Sequence, residues 1–224
     1  MYIQLNLIFN KMKKLIKQLL RENLLDEAKI SYDEIPKTVI LLNHGNRLTL
    51  YDTYFIDREE KLNGVLGTMT TYKENELIAV ETVAAEKGYG PVIYELAMEM
   101  ITPKALVSDR DGDTREGATK ILRGFKGNMN PNITAIPIKQ NDINYNDCSE
   151  IDCNGKEPDF IEIYNTKFIA KNNTNYNILI KKGEEFFTKK NREYLTSDDD
   201  NLLSNKEYIK LIYDLGREYF KRKY

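Results

Sequence analysis

The chain has no tryptophan, one histidine and two cysteines in 224 residues. Two thiols, Cys148 and Cys153, make no disulfide framework for a chain this long, so a reducing, cytoplasmic setting is the expectation. A zinc centre needs four ligands, and His44 stands alone and far from the thiols. The cysteines therefore read as structural or free, with no metal expected. Basic charge is not in excess: 33 Lys and Arg face 35 Asp and Glu, for a net charge of −2, which argues against nucleic acid as a partner. No apolar run approaches the roughly 20 residues that cross a bilayer, and the opening residues carry no signal-peptide cleavage pattern. A calcium loop fails as well. In "DRDGDTREG" and beyond, Thr114 stands where that motif needs glycine and Lys120 where it needs glutamate.

What is present is 41% hydrophobic residues, enough for one good-sized core, distributed in short patterned runs. Residues 10–28 carry Met12, Leu15, Ile16, Leu19, Leu20 and Leu24 at helical spacing, with Lys13, Lys14, Lys17 and Arg21 opposite. That pattern predicts an amphipathic helix docked on the domain in preference to a membrane-surface helix, since its apolar side has no Trp or Phe anchor; whether translation starts at Met1 or Met12 stays open. Strand-like runs follow at 37–44, 48–56, 63–74 and 76–85, rich in β-branched and aromatic residues. A helix is expected from Pro91 to about Ile101, with Ile93, Leu96, Ala97 and Met100 on one stripe, ending before Pro103. A short strand at 104–109 precedes a helix capped by Asp113 and Glu116 and running to about Phe125. Strands at 132–139 and 159–170 flank a polar loop at 140–157. The chain then turns polar, with an acidic turn at 197–200. It closes in a helix begun by Ser204 and Glu207 that buries Tyr208, Ile209, Ile212, Leu215 and Tyr219. Antiparallel strands followed by a strand–helix–strand crossover predict a mixed α/β (α+β) layered protein.

One stretch raises a chemical question. "AEKGYGPVIYELAMEM", residues 85–100, places Gly88, Gly90 and Pro91 directly before a helix. Unpaired N–H groups in a first helical turn favour an anion, the two glycines let phosphate approach the backbone, and Pro91 suits the first helical position. Neither the P-loop nor the dinucleotide fingerprint has this spacing. A bland strand-to-helix turn is the competing reading.

The strand "AVETVAA", the "KGYGP" turn, the helix and the following "LVSDRDGDTREGA" resemble the GNAT superfamily of N-acetyltransferases, and most nearly a phage-encoded branch of it. The likeness spans about residues 37–170. It implies a mixed, mostly antiparallel central sheet with helices on both faces and a C-terminal helical extension. The corresponding division is an N-terminal helix at 1–30, an acyltransferase domain at 31–171 and an extension at 172–224. The resemblance further implies acetyl-CoA as cofactor, its pyrophosphate on the backbone of Lys87, Gly88, Tyr89 and Gly90. The pantetheine arm would run along Thr82, Val83 and Ala84, in a gap between the strands at 79–85 and 105–109. Glu81 falls where some members hold the general base for an acceptor amine, and Asp109 and Arg110 border the cleft. Three departures stand beside this: Ala85 replaces the usual Gln or Arg, Pro91 removes an N–H, and Phe125 is the nearest aromatic to the family's proton-donating tyrosine. Two functions therefore remain open. One is acetyl transfer from acetyl-CoA to an amine. The other is a non-catalytic phage protein, virion-associated or binding a host factor, that docks partners through its terminal helices.

Overall fold

Residues 30–109, 116–138, 163–196 and 203–223 are described by a computed structural model of the chain. The expected helix at 10–28, Arg110, the Asp113 cap, the loop carrying Cys148 and Cys153, and the acidic turn at 197–200 lie outside them.

Period-two alternation builds the first layer. In β1 (Val39–His44) and β2 (Arg47–Asp52), Val39, Leu41, Leu48 and Leu50 join one buried cluster while Ile40, Leu42 and Tyr51 join another. Side chains of alternate strand residues point to opposite faces, so the two clusters lie on the two sides of one sheet. A two-residue loop with Gly45 at φ +65° joins β1 to β2, and another with Asn75 at φ +54° joins β3 (Val65–Glu74) to β4 (Leu77–Ala85). After α1 (Gly90–Ile101) come β5 (Leu106–Val107), α2 (Glu116–Lys126), β6 (Ile133–Pro137) and β7 (Thr166–Ala170). The described strands form a seven-stranded sheet in the order β1-β2-β3-β4-β5-β7-β6. Every pairing is antiparallel except β4 with β5.

Four elements depart from the sequence expectation. The run at 48–56 stops being a strand at Asp52, whose carboxylate accepts the Tyr54 N–H at 3.0 Å and turns Thr53–Phe55 into a 3₁₀ helix. Of the strand expected at 159–170, Thr166–Ala170 form one, whereas Ile163–Tyr164 are helical and residues 159–162 lie outside the described residues. α1 is no one-sided amphipathic helix: every residue from Pro91 to Glu99 is buried, because the sheet takes one side and α2 with the later helix α3 (Thr174–Thr196) the other.

The largest difference is α3 (Thr174–Thr196), a helix in a stretch that reads only as polar. Its buried set is Leu179, Gly183 and Phe187, a four-residue spacing that contributes one weak apolar line per turn. α3 packs along β1, the sheet edge, and covers backbone that would otherwise recruit another strand. Gly183 permits the approach, since a Cβ there would stand 3.2 Å from the Leu41 carbonyl oxygen. α1 holds the start of α3 through Glu99, which is 1% exposed. Its carboxylate accepts the Tyr176 N–H at 2.8 Å and the amides of Asn175 and Asn132, each at 3.1 Å. An anion at a helix N-terminus satisfies both the orphan N–H groups and the dipole.

α4 (Asn205–Lys223) begins as expected, with the Ser204 N–H donating to the Glu207 carboxylate at 2.7 Å. The Ser204 hydroxyl, and after it that N–H, hold the Glu207 pKa below the usual carboxylate range. It buries Tyr208, Ile212, Gly216 and Tyr219 on the face opposite α1. Ile209 and Leu215 are only partly buried there. Among the described residues no helix is long and apolar enough to cross a membrane.

Candidate functional site

The parallel pair is short. β4 matches β5 only at Ile78 with Leu106 and Ala79 with Val107, while its opposite edge stays paired with β3 as far as Ala85. From Val80 onward no residue of β4 pairs with β5, so the two strands part at their carboxyl ends. Ligands of open α/β sheets enter at such places. Ser108, the next residue of the β5 segment, is 2% exposed, and its hydroxyl has no partner among the described residues.

The parting strand carries a bulge. Thr70 pairs with Thr82 and Thr71 with Val80, which leaves Glu81 as the extra residue. A bulge twists a strand and re-aims a side chain. Glu81 is exposed, whereas Val83 packs against the α1-side cluster and Ala84 is buried on the α4 side. Thr82 is tied down by a hydrogen bond between its hydroxyl and that of Thr70. Val83 and Ala84 thus give their side chains to the core.

The turn after β4 has a defined form. The Tyr89 N–H donates to the Glu86 carbonyl at 3.0 Å, and Gly88, third in that turn, has φ +86°. A positive φ at this position is what a type II turn demands, so glycine at 88 has a backbone reason. Tyr89 is the N-cap of α1 but offers no capping side-chain bond, Pro91 occupies the first turn, and no acidic residue lies there. The N–H groups of Lys87, Gly88, Gly90 and Val92 have no acceptor among the described residues. Burial, then the nearby Asp52 carboxylate, pushes the Tyr89 phenol above its ordinary range.

Gly90 plays a different part from the one its sequence suggests. A Cβ there would meet the Ile121 side chain of α2 at 2.7 Å, so the space beside this glycine is taken by helix packing. Of the expected site residues, Glu81, Thr82, Val83 and Ala84 lie on the diverging strand and Lys87, Gly88, Tyr89 and Gly90 on the turn that follows it. Asp109 follows Ser108 beyond β5.

Sequence reasoning missed the support from α4. Tyr219 donates its hydroxyl to Glu86 Oε1 at 2.8 Å and Lys223 Nζ lies 3.2 Å from the same oxygen, so the last helix is pinned to the first residue of the glycine turn. It also missed the threonine face beneath α4, where Thr49, Thr68 and Thr70 are buried. Alternation in "LTL" and "GTMT" carried that signal. A separate recess lined by Lys126, Asn128, Pro131, Thr134 and Ala135 sits at the β6 edge, away from the turn. No protein-family model, curated protein or solved structure matches the chain.

Proposed function

We propose that the chain is an acetyl-CoA-dependent acyltransferase of the GNAT type that acetylates an amine. The observation that carries this reading is the parting of β4 from β5 directly before a type II glycine turn and an uncapped helix N-terminus. Diverging strands leave a backbone edge for an extended arm to pair with, and the turn offers N–H groups to a diphosphate. Thr82, Val83 and Ala84 supply that edge, and Lys87, Gly88 and Tyr89 the turn. For Gly90 the reading keeps the backbone N–H and drops the need for side-chain clearance.

The thioester contributes an activated acyl carbon. The acceptor nitrogen forms a bond to that carbon, the carbon–sulfur bond breaks, and the thiolate takes a proton from solvent or a nearby acid. Glu81, exposed on the bulge, is the group suited to receive the proton the amine sheds. Much of the acceleration in such a reaction comes from holding thioester and amine together.

A second reading, a GNAT-like phage protein without catalysis, draws support from Phe125, which is wholly buried in the core and has no proton to give. Docking of partners through the last helix gains no support, because α4 spends its apolar stripe on its own sheet. Calorimetry separates the two. The enzyme reading expects heat with both CoA and acetyl-CoA, unchanged CoA affinity in Glu81→Gln, and acetyl transfer lowered at least about a hundredfold in that variant. Absence of heat at millimolar CoA would sink it.

A further inference from the structure

The glycine turn engages its acceptors and leaves its donors open. The Tyr89 N–H donates to the Glu86 carbonyl at 3.0 Å, the Ile30 N–H to the Gly88 carbonyl at 3.4 Å and the Ile93 N–H to the Tyr89 carbonyl at 3.0 Å. The Glu86 N–H donates to the Leu66 carbonyl at 2.9 Å and ties the start of the turn to β3. The N–H groups of Lys87, Gly88 and Gly90 remain, and none of these three residues is buried.

One side chain is ill suited to an anion at this place. Glu86 sets a carboxylate on the first residue of the turn, with 45% of its side chain exposed, and like charges at short range repel. That carboxylate is held from α4. The Tyr219 hydroxyl and the Lys223 ammonium converge on its Oε1, at 2.8 Å and 3.2 Å. The Tyr219 ring is 5% exposed and fixed by packing, which gives its hydroxyl a set direction. Lys223 lies over that ring, 5.4 Å from its centre, and supplies the cancelling charge.

We propose that Tyr219 and Lys223 are positioning residues for the diphosphate of the cofactor. Acting through Glu86, they hold the turn with its N–H groups outward and neutralise the carboxylate beside them. The diphosphate rests on the acyl-transfer reading; the hold of α4 on the turn stands on the contacts themselves. A partly exposed ion pair adds little to stability, so the effect of these bonds belongs to binding more than to folding. The coupling is reciprocal, so cofactor at the turn also tightens the end of α4.

The test uses the full chain with CoA, acetyl-CoA and S-acetylpantetheine, a thioester that has the arm and lacks the diphosphate. Tyr219→Phe should weaken CoA roughly threefold to tenfold in calorimetry, and Tyr219→Phe combined with Lys223→Gln roughly tenfold to a hundredfold. With acetyl-CoA the loss should fall on KM while kcat holds. With S-acetylpantetheine the parent and both variants should agree in kcat/KM, because groups that serve the diphosphate have nothing there to serve. In a Glu86→Ala background the same substitutions should change CoA affinity by no more than about twofold, since the group they act through is gone. Unchanged CoA affinity in the variants, an equal loss with S-acetylpantetheine, or the full loss persisting in Glu86→Ala overturns the proposal. Absence of both CoA heat and turnover in the parent removes the acyl-transfer reading and the diphosphate with it. Hydrogen exchange at the Tyr89 amide then decides the rest: faster exchange in Tyr219→Phe keeps the hold of α4 on the turn, and equal exchange removes it.

Discussion

Gly90 and Gly216 look alike in the sequence and answer to different neighbours. A methyl group at Gly90 would meet Cδ1 of Ile121, the far end of a flexible side chain that can swing away. One at Gly216 would meet Thr49 Oγ1 at 2.7 Å and Thr68 Oγ1 at 3.3 Å, stiff β-branched groups fixed on the sheet. Gly90→Ala should therefore fold with stability near that of the parent, and CoA affinity should hold, because the added methyl points at α2. Gly216→Ala should lose about 1–3 kcal/mol through overpacking, read as a lower urea midpoint at unchanged slope. Equal midpoints for the two variants would contradict the contact geometry. This contrast was beyond the sequence. Helical spacing identified the helix around each glycine, but the partner that decides each cost comes from a distant segment.

At the scale of elements, strands were legible because alternation is local. All four runs before the glycine turn contain strands, and the turn at Asn75 and the cap at Ser204 sit where side-chain chemistry puts them. α3 was not legible, since its stability is borrowed: an edge strand to cover, and the buried carboxylate of Glu99 at its start. Removing that carboxylate takes the acceptor from the Tyr176 N–H and the Asn175 amide, and leaves the Asn132 amide only its long bond to the Asn172 carbonyl. Glu99→Ala should cost roughly 2–4 kcal/mol, and amide exchange should speed up most in the first turns of α3. The pH dependence has a definite sign. Burial raises the Glu99 pKa, and the bonds from Tyr176, Asn175 and Asn132 only partly offset it. The folded chain then holds this proton to higher pH than the unfolded chain does. This group's contribution is therefore greatest at acid pH and declines as pH rises from the ordinary carboxylate range through the raised value. Subtracting the pH profile of Glu99→Gln from that of the parent isolates this slope. A difference profile that rises with pH there would refute the assignment.

The whole molecule depends on its last fifty residues more than their polar composition foretells. The glycine turn could be read from sequence, whereas its anchor, the contacts of Tyr219 and Lys223 with Glu86, exists only once α4 has crossed the sheet. α4 covers the face bearing Ile40, Leu42, Tyr51, Ile56 and Val65, and Phe187 of α3 joins the same cluster. Exposing several such side chains at about 1.5–3 kcal/mol each is of the same size as the roughly 5–15 kcal/mol by which domains of this size are stable. A chain ended after Ala170 should therefore fail to fold, with no cooperative thermal transition and strong binding of a hydrophobic dye. A smaller lesion makes the result specific to docking. Ile212→Ala alone, at a wholly buried position on the sheet-facing side of α4, should keep the native circular dichroism and lose about 2–5 kcal/mol. If the shortened chain instead melts cooperatively near the temperature of the full one, then the strands and α1 suffice as a folding unit, and α4 is an accessory to the site alone.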